Sequence, residues 1–222
     1  MLYLSIEMST GSGSLALFRD RTVIDDMQWE DTPRQHNQLF SGWRELLERN
    51  SIKQSAIEGI LVGRGPGRYS SLRMAISSAQ AFSLVDEPAA LPIFAVSSCE
   101  AMAWQAMRLS GAEACAVIGD ARRGLIWNGV FCNDGHLLSQ EEPWTLSPIE
   151  ELKQRIPEQA MVISPDAIRL EDQYQISELF GETFNRNDRL PTAKEIGSLA
   201  VEKIILGLTS EPIVPLYLQP PV

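Results

Sequence analysis

ILVGRGPGRYSSLRMAISSAQAFSLV, residues 60–85, reads in three parts. Ile60-Leu61-Val62 is an unbroken apolar run, the pattern of a short strand buried on both faces. Gly63-Arg64-Gly65-Pro66-Gly67 cannot continue that strand, because its three glycines admit positive φ and close backbone approach while Pro66 fixes one turn dihedral. Ser70 or Ser71 then offers an N-cap oxygen, and Leu72 to Val85 follows as a helix. A strand, a glycine loop and a helix start bring free N–H groups and the positive end of a helix dipole to one corner, which suits an anion. The helix is apolar over most of its circumference: Arg73 and Gln80 are its only strongly polar side chains. Such a helix is covered on more than one side. It is either deep core or, with its small residues Ala75, Ser78, Ala79 and Ala81, the seat of another helix.

Upstream, Leu2–Glu7, Ser14–Phe18 and Thr22–Trp29 read as strands joined by the tight turns Ser9–Gly13 and Arg19–Arg21, an antiparallel meander. Asp31-Thr32-Pro33 stops the sheet and caps a helix from Gln35 to Asn50. In that helix Leu39, Phe40, Trp43, Leu46 and Leu47 share one face. Downstream of the glycine loop, Ile93–Val96 is a fifth strand, and Ser97-Ser98 caps a helix carrying Met102, Ala103, Ala106 and Met107. A meander followed by βα units is one half of an actin/hexokinase-type (ASKHA) α/β fold. A dinucleotide-binding fold would not open with three antiparallel strands.

Near Ser110-Gly111-Ala112 the pattern restarts. Cys115–Gly119 and Leu125–Cys132 are strands around the turn Asp120–Gly124, and Asn133-Asp134-Gly135 is a hairpin turn. Pro148–Arg155 reads as a short helix, Met161–Ser164 as a strand, and Ile168–Asn187 as polar with little periodicity. Thr192 caps a last helix with Ile196, Leu199, Ala200, Ile204 and Leu208. The expected division is an N-terminal lobe over 1–110, joined by 209–222, and a reduced second lobe over 111–208, without a phosphate loop of its own.

The 222 residues are 44% hydrophobic and 22% charged, ordinary for a globular chain with a real core. No run of about eighteen apolar residues is present, so no membrane span is expected, and MLYLSIEMST lacks the basic start of a signal peptide. Three cysteines without CxxC spacing fit reduced thiols in a cytoplasm. A net charge of −10 argues against a broad nucleic-acid surface, although Arg64, Arg68 and Arg73 gather locally around the glycine loop.

Gly65-Pro66-Gly67-Arg68-Tyr69-Ser70-Ser71-Leu72-Arg73-Met74-Ala75 resembles the GPGSFTGLRIG signature of the TsaB (YeaZ) family. Ser5–Thr10 resembles its AIDTST opening and Arg34–Leu39 its HSE-L helix start. Val96-Ser97-Ser98, Asp120-Ala121-Arg122 and Pro215–Leu218 follow in the family's order, so the resemblance runs through nearly the whole chain. It implies an actin-like fold and a part in making N6-threonylcarbamoyladenosine at position 37 of tRNA. It further implies a non-catalytic scaffold or activator that pairs with the related TsaD subunit, which holds metal and transfers the carbamoyl group, and a complex that recruits the TsaE ATPase. Pairing with a second copy is the other arrangement in view. On this reading tRNA is met only through the complex. No cofactor is expected in the isolated chain, with ATP or ADP left open at the partner interface. The chain departs from the family pattern at Glu7 (usually Asp), Met8 (Thr), Arg68 (Ser), Ser71 (Gly) and Gln219 (often Arg).

Read residue by residue, the chain offers no catalytic group and no metal set. Its only histidines, His36 and His136, are a hundred positions apart, where TsaD-type relatives use two on one helix. No GxSxG motif is present, and the glycine loop lacks the lysine of a P-loop. The candidate ligand loop is Gly63, Gly65, Gly67, Arg68 and Ser70, weighed against a tight turn with no ligand. The cleft candidates are Glu7, Asp120 and Arg122; the interface candidates are His36, Leu39, Met74, Ser78, Ala81 and Val85. Two other readings stand beside the scaffold. An ATP-dependent small-molecule kinase of the actin/hexokinase class would need a second phosphate loop and a catalytic Asp. A glycoprotease-like metallopeptidase would need the histidine pair.

Overall fold

The structure, a computed structural model, describes residues 1–30, 38–84, 90–135, 137–140 and 143–218. The chain forms two units, one of Met1–Ala101 with Pro191–Tyr217, the other of Met102–Leu190 with Leu218.

In the first unit β1 (Leu2–Glu7), β2 (Ser12–Arg19) and β3 (Thr22–Glu30) form the antiparallel meander. β4 (Gly59–Gly63) and β5 (Ile93–Val96) add parallel strands on the other side of β1, giving the order β3-β2-β1-β4-β5. Every residue of β1 and β4 is buried, so this part of the sheet is covered on both faces. Strand alternation sends Leu2, Leu4 and Ile6 to one face, where they join Trp43 and Leu46 of α1 (Gln38–Arg49) and Ala75, Ile76 and Ala79 of α2 (Tyr69–Ser83). α7 (Ala193–Ile205) covers the sheet as well, and Gly197 lets it approach: a Cβ there would stand 2.1 Å from the Phe18 ring. Thr192 caps α7 with a complete capping box through Glu195. This is the actin/hexokinase-like arrangement that the element order predicts.

α7 therefore packs on the first sheet, where the sequence reading put its residues with the second lobe. Its apolar face of Ile196, Leu199 and Ala200 says that something is covered, not what. α2 is buried on one side only: Ser70, Arg73, Ser77, Gln80, Ala81 and Leu84 are exposed. It also starts earlier than expected, with Arg68 as an N-cap that makes no side-chain capping bond. Ser70 and Ser71 lie inside its first turn, because the bond from Leu72 N to Arg68 O already closes helical geometry there.

In the second unit β6 (Ala114–Asp120) and β7 (Leu125–Asn133) form the hairpin. β8 (Leu138–Gln140) and β9 (Thr145–Pro148) share the outer edge of β7, and β10 (Met161–Ile163) pairs parallel with β6. The short α4 (Leu152–Arg155) lies between β9 and β10, and residues read as featureless hold α5 (Ala167–Tyr174) and α6 (Ile176–Phe180), separated by Gln175 at φ 52°. Their buried residues, Ala167, Leu170 and Ile176, join Ile118, Ile126 and Val162 in the unit's core. Between the two sheets in sequence runs α3 (Ser98–Ser110), whose first turn is capped by Ser97 Oγ, 3.3 Å from Glu100 N. Among the described residues no helix is long and apolar enough to cross a membrane.

Candidate functional site

The glycine loop sits at the carboxyl ends of β1, β4 and β5. Parallel pairing sets Ile6 beside Val62, so Glu7 emerges next to Gly63. Gly63 is the reason it fits: a Cβ there would lie 1.8 Å from Glu7 Oε2 and 2.8 Å from Ser98 Oγ. Glu7 is fully buried, and both its oxygens accept hydrogen bonds, from Ser9 N at 2.5 Å and from the Ser98 hydroxyl at 2.7 Å. Ser98 Oγ in turn accepts from Gly65 N at 3.0 Å. Gly65 O receives Ser98 N at 2.9 Å and the Ser97 hydroxyl at 3.2 Å. Burial pushes the Glu7 carboxyl above the usual carboxylate range, against the pull of the bonds from Ser9 and Ser98.

The other glycines have internal reasons too. A Cβ on Gly67 would meet Ser9 O at 2.0 Å, the same oxygen that accepts Arg68 N at 2.7 Å. Gly65 has φ 95°, open to glycine alone, and its Cβ would meet Leu72 at 2.8 Å. The structure thus brings Glu7, Gly63, Gly65, Gly67 and Arg68 together, and accounts for each glycine by a contact within the chain. Ser70 stays exposed on α2, away from these bonds.

The sequence reading missed what fastens the loop from the far end of the chain. Arg64 pairs with Glu211 at 2.9 Å and donates to Val214 O at 3.0 Å; its own carbonyl accepts Leu216 N at 2.8 Å. The second Glu211 oxygen accepts Ser97 N at 3.0 Å and lies 3.7 Å from Lys203, which pairs with Glu100 at 2.7 Å. Burial pushes the Glu100 carboxyl up, with Lys203 opposing. No local motif announces these partners; only the mostly apolar surroundings of Lys203 and Glu211 hint that each meets a charge. Arg64 thereby leaves the basic group around the loop, and Arg68 and Arg73 remain exposed in it.

Asp120 and Arg122 meet locally in the second unit, where Arg122 N donates to Asp120 Oδ1 at 2.6 Å. The Asp120 side chain is only 6% exposed and is matched by Arg169 at 3.0 Å, which also reaches Asp166 at 3.3 Å. Burial raises the Asp166 carboxyl and Arg169 opposes it. The Arg122 side chain is exposed, at φ 64°.

Of the interface candidates, Leu39 and Ser78 face the unit's own interior, Met74 is half-buried against the same core, and Ala81 is exposed. His36 and Val85 lie outside the described residues, as do His136 and Gln219. Sequence reasoning missed the aromatic surface beside Ala81. Phe82 stacks on Trp43 at 3.6 Å and meets Phe40 at 5.8 Å; Phe40 is 50% exposed and Leu84 66%.

Comparison with known proteins agrees with this architecture. Residues 30–156 match the family model described as TsaD, tRNA N6-adenosine threonylcarbamoyltransferase. The chain is 32% identical over 135 residues to the tRNA threonylcarbamoyladenosine biosynthesis protein TsaB of Escherichia coli K12, a match over 60% of this chain and 56% of that protein. It is 30% identical over 143 residues to the protein of that name from Bacillus subtilis 168, over 64% and 60% of the two. The chain thus spans less than two thirds of the curated relatives it matches. Among solved structures, YeaZ from Pseudomonas aeruginosa superposes with a TM-score of 0.77 at 23% identity, covering 97% of this chain and all of that one. A second solved structure, of an uncharacterized protein with similarity to peptidase YeaZ from Pseudomonas aeruginosa, gives 0.78 at 25% identity over 98% of this chain and 99% of that one. With more than half of the chain inside the family model, relatives of one name, and a shared fold from end to end, the chain belongs to this family, as a TsaB (YeaZ) member.

Proposed function

We propose that this chain is an accessory subunit in the synthesis of N6-threonylcarbamoyladenosine at position 37 of tRNA, acting as a scaffold for a TsaD-like subunit that a TsaE-like ATPase joins. The observation that carries the reading is the match to two curated proteins, both named tRNA threonylcarbamoyladenosine biosynthesis protein TsaB. The scaffold role is supported by the site's own geometry. Both Glu7 oxygens and all three loop glycines are held by contacts inside the chain, so the corner that serves phosphate in an anion-binding loop here serves the fold. The decisive test is nucleoside mass spectrometry of bulk tRNA from a strain depleted of this protein. The modified nucleoside should fall and return on re-expression. Unchanged modification, with no second copy of the gene, would sink the assignment.

Pairing is expected to use the outer flank of α2 with α1, because Phe40, Ala81 and Leu84 leave an apolar surface uncovered there. Ala81→Glu should leave the isolated chain folded and abolish association, since a charge would be desolvated in the interface. Ala79→Glu, at a fully buried position, should unfold it. Circular dichroism and light scattering of the two variants separate the outcomes; association unchanged in a folded Ala81→Glu chain counts against this face.

A further inference from the structure

Beside the glycine loop, Tyr69 and Tyr217 stack with centroids 4.8 Å apart and planes 24° off parallel, yet they remain 43% and 39% exposed. Arg73 donates to Tyr69 Oη at 2.6 Å, and its guanidinium carbon lies 5.2 Å from the Tyr69 ring centre. Arg68 lies over the β1–β2 turn, where a Cβ on Gly11 would meet its Nη2 at 2.9 Å. Neither Arg68 nor Arg73 makes an ion pair among the described residues, whereas Arg64 is matched by Glu211. In a chain of net charge −10, this is a local reversal of sign next to two open rings. The stack is also held from behind. Leu216 N bonds Arg64 O, and the Arg64 side chain grips Val214 O and Glu211, so the segment leading into Tyr217 is fastened at Glu211, Val214 and Leu216.

We propose that this platform binds RNA, with an unstacked base against the tyrosine pair and the neighbouring phosphates on Arg68 and Arg73. The inference rests on the tRNA reading above and assigns to this chain a contact of its own with that substrate. Proteins read RNA chiefly where bases are splayed out and can lie on aromatic or guanidinium planes. Ring faces plus cations are the two components of such sites. An acidic protein segment would satisfy the arginines and leave the rings unused, which favours RNA over a protein partner.

The test uses the full chain, purified with the subunits it carries, and a fluorescein-labelled unmodified tRNA transcript. Anisotropy titrations at several salt concentrations compare Tyr217→Ala, Tyr217→Phe and the double variant Arg68→Gln/Arg73→Gln. Tyr217→Ala should weaken binding about tenfold or more, and Tyr217→Phe should retain it, because the base stacks on the ring and not the hydroxyl. The arginine variant removes two phosphate contacts, so it should weaken binding and flatten the salt dependence by roughly 1.4 to 2 units of log–log slope. Size-exclusion chromatography should show assembly unchanged. Should Tyr217→Ala fail to fold, the exposed arginine pair decides alone. Unaltered affinity in these variants overturns the proposal. So does loss of a partner subunit at unaltered RNA affinity, which would make the platform a protein-docking surface. Failure of the wild-type chain to restore threonylcarbamoyladenosine in depleted cells would instead strike the underlying reading, and the binding curves would still judge the platform.

Discussion

At the end of β1, Glu7 meets the loop that follows β4; at the end of β6, Asp120 meets the loop that follows β10. The two corners share one topology, a hairpin strand beside a parallel strand that leads into a helix. They handle their carboxylates differently. Among the described residues Glu7 has no counter-ion; it is buried and held by Ser9 N and the Ser98 hydroxyl, in a space that exists because Gly63 has no side chain. Asp120 has no such glycine beside it in the loop Ser164-Pro165-Asp166 and is instead met, with Asp166, by Arg169 from α5. The first corner is a matter of close packing and neutral donors, the second of charge balance. Shape complementarity tolerates no added atom, whereas an ion pair depends on protonation state and solvent.

The largest expected effect tests the packing claim. Gly67→Ala should destabilise the chain by about 3 kcal/mol or more, because the added carbon meets a backbone oxygen, at 2.0 Å. Gly124→Ala, in the turn after β6, has nothing within 4 Å and φ 76°, so it should cost only about 1 kcal/mol, from backbone strain. Urea denaturation of the two variants gives the ratio. Similar losses would mean that the glycine loop relaxes as freely as a surface turn, and the contrast between the corners would collapse.

An intermediate effect is expected at the charged corner. Arg169→Ala should cost about 1–3 kcal/mol at neutral pH, reduced from a fully buried pair because Arg169 is 40% exposed. Burial already raises the Asp166 carboxyl, and losing Arg169 raises it further. A carboxyl whose folded value lies above its unfolded one costs stability as pH rises through that interval and costs nothing below it. The penalty of Arg169→Ala should therefore shrink on acidification, and a penalty independent of pH would point to lost packing of the Arg169 stem instead.

The smallest effect belongs to Glu7→Gln. The same sign applies: burial raises the Glu7 carboxyl, so wild-type stability should fall as pH rises from the ordinary glutamate value through the raised one. Glutamine keeps an acceptor and removes the ionisation. At neutral pH the variant should lie within about 1 kcal/mol of wild type, with a flatter stability curve above pH 4.5. Stability measured from pH 4 to 8 decides it. A steep loss in Glu7→Gln at all pH values would show that the ionised carboxylate itself holds the loop, and the two corners would then work alike.

The sequence by itself determined what depends on neighbouring residues. The meander follows from short turns between alternating strands. The strand–glycine–helix corner follows from Val62, Gly63 and Pro66, and the caps at Ser97 and Thr192 from serine and threonine chemistry one turn from a backbone donor. The α5–α6 break escaped notice because Gln175, neither glycine nor proline, takes the left-handed conformation there. Only the tertiary structure decided how the loop is filled and tied. Whether Gly63 faces a ligand or Glu7 depends on the register between β1 and β4. The pairing of Arg64 with Glu211, Tyr69 with Tyr217 and α7 with the first sheet joins segments more than a hundred residues apart. A residue's hydrophobic period states that a face is covered, and its charge that a partner exists. Neither states which distant segment supplies the cover, because that choice is made by the sum of packing over the whole fold.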